Sequence, residues 1–172
     1  GNFTSVPLAL QRPPSKLASD VEGSNPFNYV RLVQPVLDRH CVACHQEKKA
    51  LDLTGQIEYR PCPRDSHKQV CYTRSYNNLA EEYGFCYHAH SATTIANIDM
   101  VPEAGGRTIV GKFGTRAAKL LGYLDEGHHG VKLPDEDFHR MVLWLDCNSE
   151  FLGSYEQAEA QAHGKLVRPG LN

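Results

Sequence analysis

Residues 41–45 read Cys41-Val42-Ala43-Cys44-His45. Two thiols at this spacing can each form a thioether with one vinyl group of a haem, and the histidine that follows is then held against the iron as an axial ligand. The spacing is the c-type haem attachment signature. A C-x-x-C pair also serves as half of a zinc site or as a redox dithiol. Zinc needs a second ligand pair at a defined spacing, and a thioredoxin-like dithiol needs a βαβ context; the flanking sequence offers neither. The expected cofactor is therefore one covalent haem c on Cys41 and Cys44, with His45 as the proximal ligand.

Whether the opposite face of the iron is filled decides between electron transfer and ligand chemistry. The candidates are His128, His129, Met100, His88, His90 and Met141. The segment Gly127-His128-His129-Gly130 precedes the strongest predicted helix, where small cytochrome c domains often carry their distal ligand. Its glycines let the backbone come close to a ring. His128 is preferred there, with His129 next. Met100, in Asp99-Met100-Val101-Pro102, has a Met-x-Pro pattern but lies far from that helix. The other histidines read as ordinary residues: His40 facing solvent or a propionate, His139 packing beside Phe138 or at the surface, His67 and His163 in polar stretches. Trp144 and Phe138 read as core aromatics near the porphyrin. Arg107, Lys112 and Arg116 could pair with propionates or simply be solvated.

Six cysteines stand in 172 residues, and the haem motif accounts for two of them. The remaining four, Cys62, Cys71, Cys86 and Cys147, are an even set, and c-haem attachment is typically extracytoplasmic, so disulfides are expected. The favoured pairs are Cys62–Cys71, closing a short loop, and Cys86–Cys147, pinning the central insertion to the last helix. A second metal held by Cys62, His67, Cys71, Cys86, His88 and His90 is the competing reading, but these spacings match no zinc pattern.

The elements that must position these groups follow from periodicity and punctuation. Residues 1–24 are rich in Pro, Ser and Gly and read as an extended arm or linker; the Asn2-Phe3-Thr4 sequon within it reads as incidental. A haem domain is expected over 25–153, with a polar tail at 154–172. Asn25-Pro26 looks like a helix start, and Phe27, Val30, Val33 and Leu37 fall at helical spacing. Pro35 should end one short helix and open another running into the haem motif. Residues 46–106 show little periodicity, apart from an extended Leu51–Gly55 stretch and a short helix from Ser75. Thr115 should cap a helix to Leu124. Pro134-Asp135-Glu136-Asp137 opens the last helix, with acids at its positive end and Phe138, Met141, Val142 and Leu145 as its apolar stripe. The expected fold is mainly α, a cytochrome c-like helical domain around one covalent haem, with a long irregular, disulfide-stapled insertion.

Composition narrows the function. A formal net charge of −2 gives no strong pull toward nucleic acid or anionic membrane, and the mean hydropathy of −0.46, with no long apolar run, argues against a membrane span. No initiator Met or signal peptide is visible, so the chain reads as a mature protein or excised domain.

The residues also resemble a known family. Gln34 to His45 is similar to the opening of the cytochrome c-like domains of planctomycetes and their relatives. Ile109-Val110-Gly111-Lys112-Phe113-Gly114 with Lys119-Leu120-Leu121 resembles their second block, with Val110 where Pro is usual. Leu133 to Asp137 through Leu143-Trp144-Leu145-Asp146 resembles their closing block. Many such domains have a Met-Pro-Pro loop before that helix; histidines in its place are similar to the haem-bearing C-terminal domain of the hydrazine synthase alpha subunit. The resemblance covers about 26–153 and implies an electron-transfer haem with two histidine ligands. It does not imply hydrazine synthesis.

Two functions follow. The first is a monohaem electron-transfer domain, periplasmic or otherwise extracytoplasmic, a module serving a redox partner protein or an adjacent redox domain. The second is a haem enzyme or gas sensor whose distal ligand can be displaced.

Overall fold

The computed structural model describes residues 6–7, 10–16, 20–62, 65–85 and 110–170. Three short helices carry the haem motif: α1 (Tyr29–Leu32), α2 (Gln34–His40) and α3 (Val42–Glu47). The first is capped by Asn28, whose side chain accepts from the Arg31 N–H, rather than by Asn25. Pro35 stands at the start of α2, where its missing N–H costs nothing. Cys41 leaves helical geometry (φ −122°) and forms the joint between α2 and α3, while the Cys41 N–H still reaches Leu37 O and the His45 N–H reaches Cys41 O.

The expectation of a long irregular insertion needs correcting. Ile57–Cys62 (β1) and Asp65–Thr73 (β2) form a two-stranded antiparallel sheet, with Ile57 opposite Thr73 and Tyr59 opposite Cys71. The register shifts after Pro61. A two-stranded ribbon has only edge strands, and an edge tolerates a proline that cannot donate to the ladder. The helix α4 (Arg74–Leu79) follows at once, its first turn capped by the Thr73 hydroxyl.

The disulfide staples are also overturned. Cys41, Cys44, Cys62, Cys71 and Cys147 all carry free thiols, and Cys86 lies outside the described residues. The ladder explains the first failure. Cys71 faces Tyr59, three positions along β1 from Cys62. That offset is about 10 Å of strand, whereas a disulfide needs its Cα atoms within about 7 Å. No Cys62–Cys71 or Cys86–Cys147 bridge holds this fold. A buried core does so instead.

Beyond a 3-10 turn (Gly114–Ala117) come α5 (Lys119–Glu126), α6 (Asp135–Asp146) and α7 (Ala158–Ala162). The face that α6 buries is Asp137, Met141, Trp144 and Leu145, at i, i+4, i+7 and i+8. This is rotated from the expected stripe, since Phe138 and Val142 are only partly buried. Tyr29 and Trp144 are fully buried and meet edge-on at 5.3 Å between ring centroids. Tyr76 and Phe151 pack on the same tyrosine ring at 5.2 and 5.4 Å. The cluster ties α1, α4 and α6 together. The Tyr29 hydroxyl, pushed far up in pKa by burial, donates to Ser75, whose hydroxyl donates to Gln34. The tail after Gly153 docks as well. The Gln161 backbone carbonyl accepts from the Asn28 amide, and Ala162 and Val167 are buried.

Candidate functional site

The haem motif lies along one wall of a cavity of about 410 Å³, within the roughly 300–1,000 Å³ typical of cofactor sites. Cys41, Cys44 and His45 stand at i, i+3 and i+4 on the α2–α3 segment, so the three side chains share one face. All three line the cavity. Apolar side chains make up most of the remaining wall: Val36 and Leu37 from α2, Leu51 and Leu53 from the segment after α3, Leu120 and Leu124 from α5. Burial raises the Cys41 thiol pKa, and the neighbouring Cys44 adds to the effect. Cys44 is exposed.

His45 is oriented by its backbone surroundings. Its Nδ1 lies 2.8 Å from the Leu51 carbonyl oxygen. A carbonyl can only accept, so Nδ1 carries the proton and donates. The Nε2 lone pair is left as the ring's ligand atom. This is the outer hydrogen bond that metal-ligating histidines usually make. Sequence reading missed Leu51, because a backbone carbonyl leaves no signature in side-chain types.

His128 faces His45 across the cavity, with ring centroids 6.2 Å apart and planes at 47°. Two rings at this separation in one cavity could each offer a nitrogen to a haem iron bound between them. A tight turn aims the distal ring. His128 and Val131 exchange backbone hydrogen bonds of 3.0 and 2.9 Å, and between them His129 and Gly130 have φ of +49° and +82°. Two successive left-handed residues make a type I′ turn, for which a glycine at the second position is strongly favoured. Burial lowers the His128 pKa, and His129 and His45 push it further down. The ring thus keeps its lone pair to lower pH than an ordinary histidine. Tyr123 packs edge-on against it at 5.3 Å.

The other candidates fall elsewhere. His129 lines the cavity but is exposed, and its ring meets His128 at 4.3 Å. Met141 is buried in the wall on α6. Met100, His88, His90 and Arg107 lie outside the described residues. His139 bonds Asp20 at the surface, with Nε2 to Oδ2 at 2.7 Å. The expectation of a metal-binding cluster is corrected: among the described residues no three His, Cys, Asp or Glu side chains group to hold an ion. A porphyrin asks for less, because it brings four nitrogens of its own and needs only the two axial rings. The donor set, the apolar walls and the paired thiols fit a haem.

One further group stands beside the motif. Asp137, with a side chain 10% exposed, accepts from Arg39 Nη2 at 2.5 Å and His40 Nε2 at 2.7 Å. Burial alone would raise its pKa; the hydrogen bonds from Arg39 and His40 outweigh it and hold the carboxyl below its ordinary value. Sequence reading took this acid for a helix-dipole residue. Its alignment with Met141, Trp144 and Leu145 was the missed signal.

Among the described residues no helix is long and apolar enough to cross a membrane. Compared with protein-family models, curated proteins and solved structures, the chain finds no match.

Proposed function

We propose that this chain is a monohaem c-type cytochrome domain that passes single electrons. The observation that carries this reading is the facing pair His45 and His128, 6.2 Å apart in a cavity that also presents Cys41 and Cys44. A haem bound there supplies the one-electron couple. The protein supplies the rest. Cys41 and Cys44 would tether a haem, His45 and His128 would offer it their ring nitrogens, and the apolar walls would exclude water. The Leu51 carbonyl and the 128–131 turn hold the two imidazoles in place in either oxidation state, which keeps reorganisation small. Two imidazoles give a lower potential than His/Met ligation, because Met raises it. The sequence resemblance to planctomycete cytochrome c-like domains supports the same reading. An extracytoplasmic location would follow from thioether attachment. The partner is a redox protein or an adjacent redox domain.

Absorption spectra of the ferric and dithionite-reduced protein, with and without carbon monoxide, test the proposal. Six-coordinate low-spin spectra indifferent to carbon monoxide are expected. A high-spin ferric band or rapid carbon monoxide binding would overturn it in favour of a ligand-binding enzyme or sensor.

A further inference from the structure

We propose that the cleft between the β-hairpin and α7 is a second ligand site, one that takes a small quaternary ammonium compound. The cleft has a volume of about 410 Å³ and shares no lining residue with the cavity of the haem motif. The inference therefore stands apart from the haem reading. The volume lies within the range of small-molecule sites, roughly 300–1,000 Å³. Tyr59 on β1 and Cys71 on β2 are cross-strand partners, so their side chains leave the same face of the sheet. Val70, Tyr72 and Leu152 border the cleft as well. On the other side α7 packs against β2 and brings Glu159 to the rim.

Charge selects the ligand. Glu159 is the one charged side chain in the lining. It accepts from the Tyr59 hydroxyl at 2.8 Å, and among the described residues no Lys, Arg or His pairs with it. Both neighbours feel the uncompensated charge. The hydrogen bond to Glu159, and then its charge, raise the Tyr59 phenol; burial first, and then Glu159, raise the Cys71 thiol. Cys71 thus stays a neutral thiol and adds no second anion. The cleft offers a single negative charge beside aromatic and aliphatic surface, so its complement is one positive charge on an apolar body. A primary ammonium brings three N–H donors that each need an acceptor, and one Glu159 oxygen is already committed to Tyr59. A quaternary ammonium needs no acceptor. A carboxylate and the face of a tyrosine ring stabilise it by charge and by cation–π attraction. The Tyr59 side chain is 51% exposed, and a ligand in the cleft would take part of that ring out of water.

An NMR titration of the full chain with choline tests the proposal, with 3,3-dimethylbutanol as the uncharged molecule of the same shape. Choline should shift the amide signals of Tyr59, Cys71 and Glu159 along a saturable curve, and the alcohol should leave them in place. Glu159→Gln, which keeps the hydrogen-bond acceptor and removes the charge, should weaken choline binding about tenfold or more. Tyr59→Leu should weaken it about threefold through loss of the ring. Both positions are exposed, so the variants should fold, and an unchanged spectrum away from the cleft checks that they do. No saturable shift at these three residues, equal shifts with the alcohol, or choline binding that survives Glu159→Gln undiminished would overturn the inference. None of these results bears on the haem reading, whose own test is the absorption spectrum.

Discussion

Replacing His128 by Ala removes one of two rings that face each other at 6.2 Å. The expected outcome is a high-spin ferric spectrum and an iron that binds carbon monoxide. An unchanged spectrum in His128→Ala would move the distal ligand to another residue, His129 or Met100. Asp137 invites a different experiment. Its pKa is lowered in the folded state, so the stability it contributes is present above its unfolded value of about 3.9. That contribution is lost as pH falls through the lower folded value. Asp137→Asn should therefore cost about 1–2 kcal/mol near neutral pH, allowing for solvent around half-exposed Arg39. The variant and the parent should converge at strongly acidic pH. Urea unfolding at neutral and acidic pH checks both points; equal stability at neutral pH would contradict the role given to this carboxylate.

At the scale of elements, the distal turn carries the most specific expectation. Gly130 has φ of +82° and open space around its missing Cβ. The cost of Gly130→Ala is thus backbone strain alone, about 1–2 kcal/mol for a left-handed L-residue. Because the turn aims His128, the variant should melt earlier and show a partly high-spin ferric iron; an unchanged melting temperature and spectrum would mean that the turn does not position the ring. The loop and the last helix were legible from sequence, the turn type was not. Gly127-His128-His129-Gly130 stood out as a glycine-flanked pair of histidines, and Pro134 followed by three acids announced α6. The hairpin was harder to see. Ile57 and Tyr59 alternate with Glu58 and Arg60, but the run is short and ends at Pro61, which a strand tolerates only at an edge. Asp137 escaped for a related reason. An acid in the first turn of a helix has a ready explanation in the macrodipole, and its burial depends on Arg39 and His40, residues about a hundred positions away in the chain.

Considered as a whole, the molecule is held by packing, chiefly the cluster of Tyr29, Tyr76, Trp144 and Phe151, rather than by cross-links. The even cysteine count was misleading because disulfide bonding depends on which Cα atoms the fold brings together. With Cys62, Cys71 and Cys147 all free, mild reductant should leave the thermal midpoint unmoved, and a thiol titration after denaturation should find these three reactive. A drop in melting temperature with reductant would contradict this. The cavity bordered by Cys41, Cys44, His45 and His128 carries the stronger test, since the proposed haem would be joined to those thiols. The most direct test is intact-mass spectrometry of denatured protein produced in cells competent for cytochrome maturation. The account predicts the polypeptide mass plus one haem, with the addition lost in a Cys41→Ala, Cys44→Ala double variant. A bare polypeptide mass from the unaltered chain would contradict it.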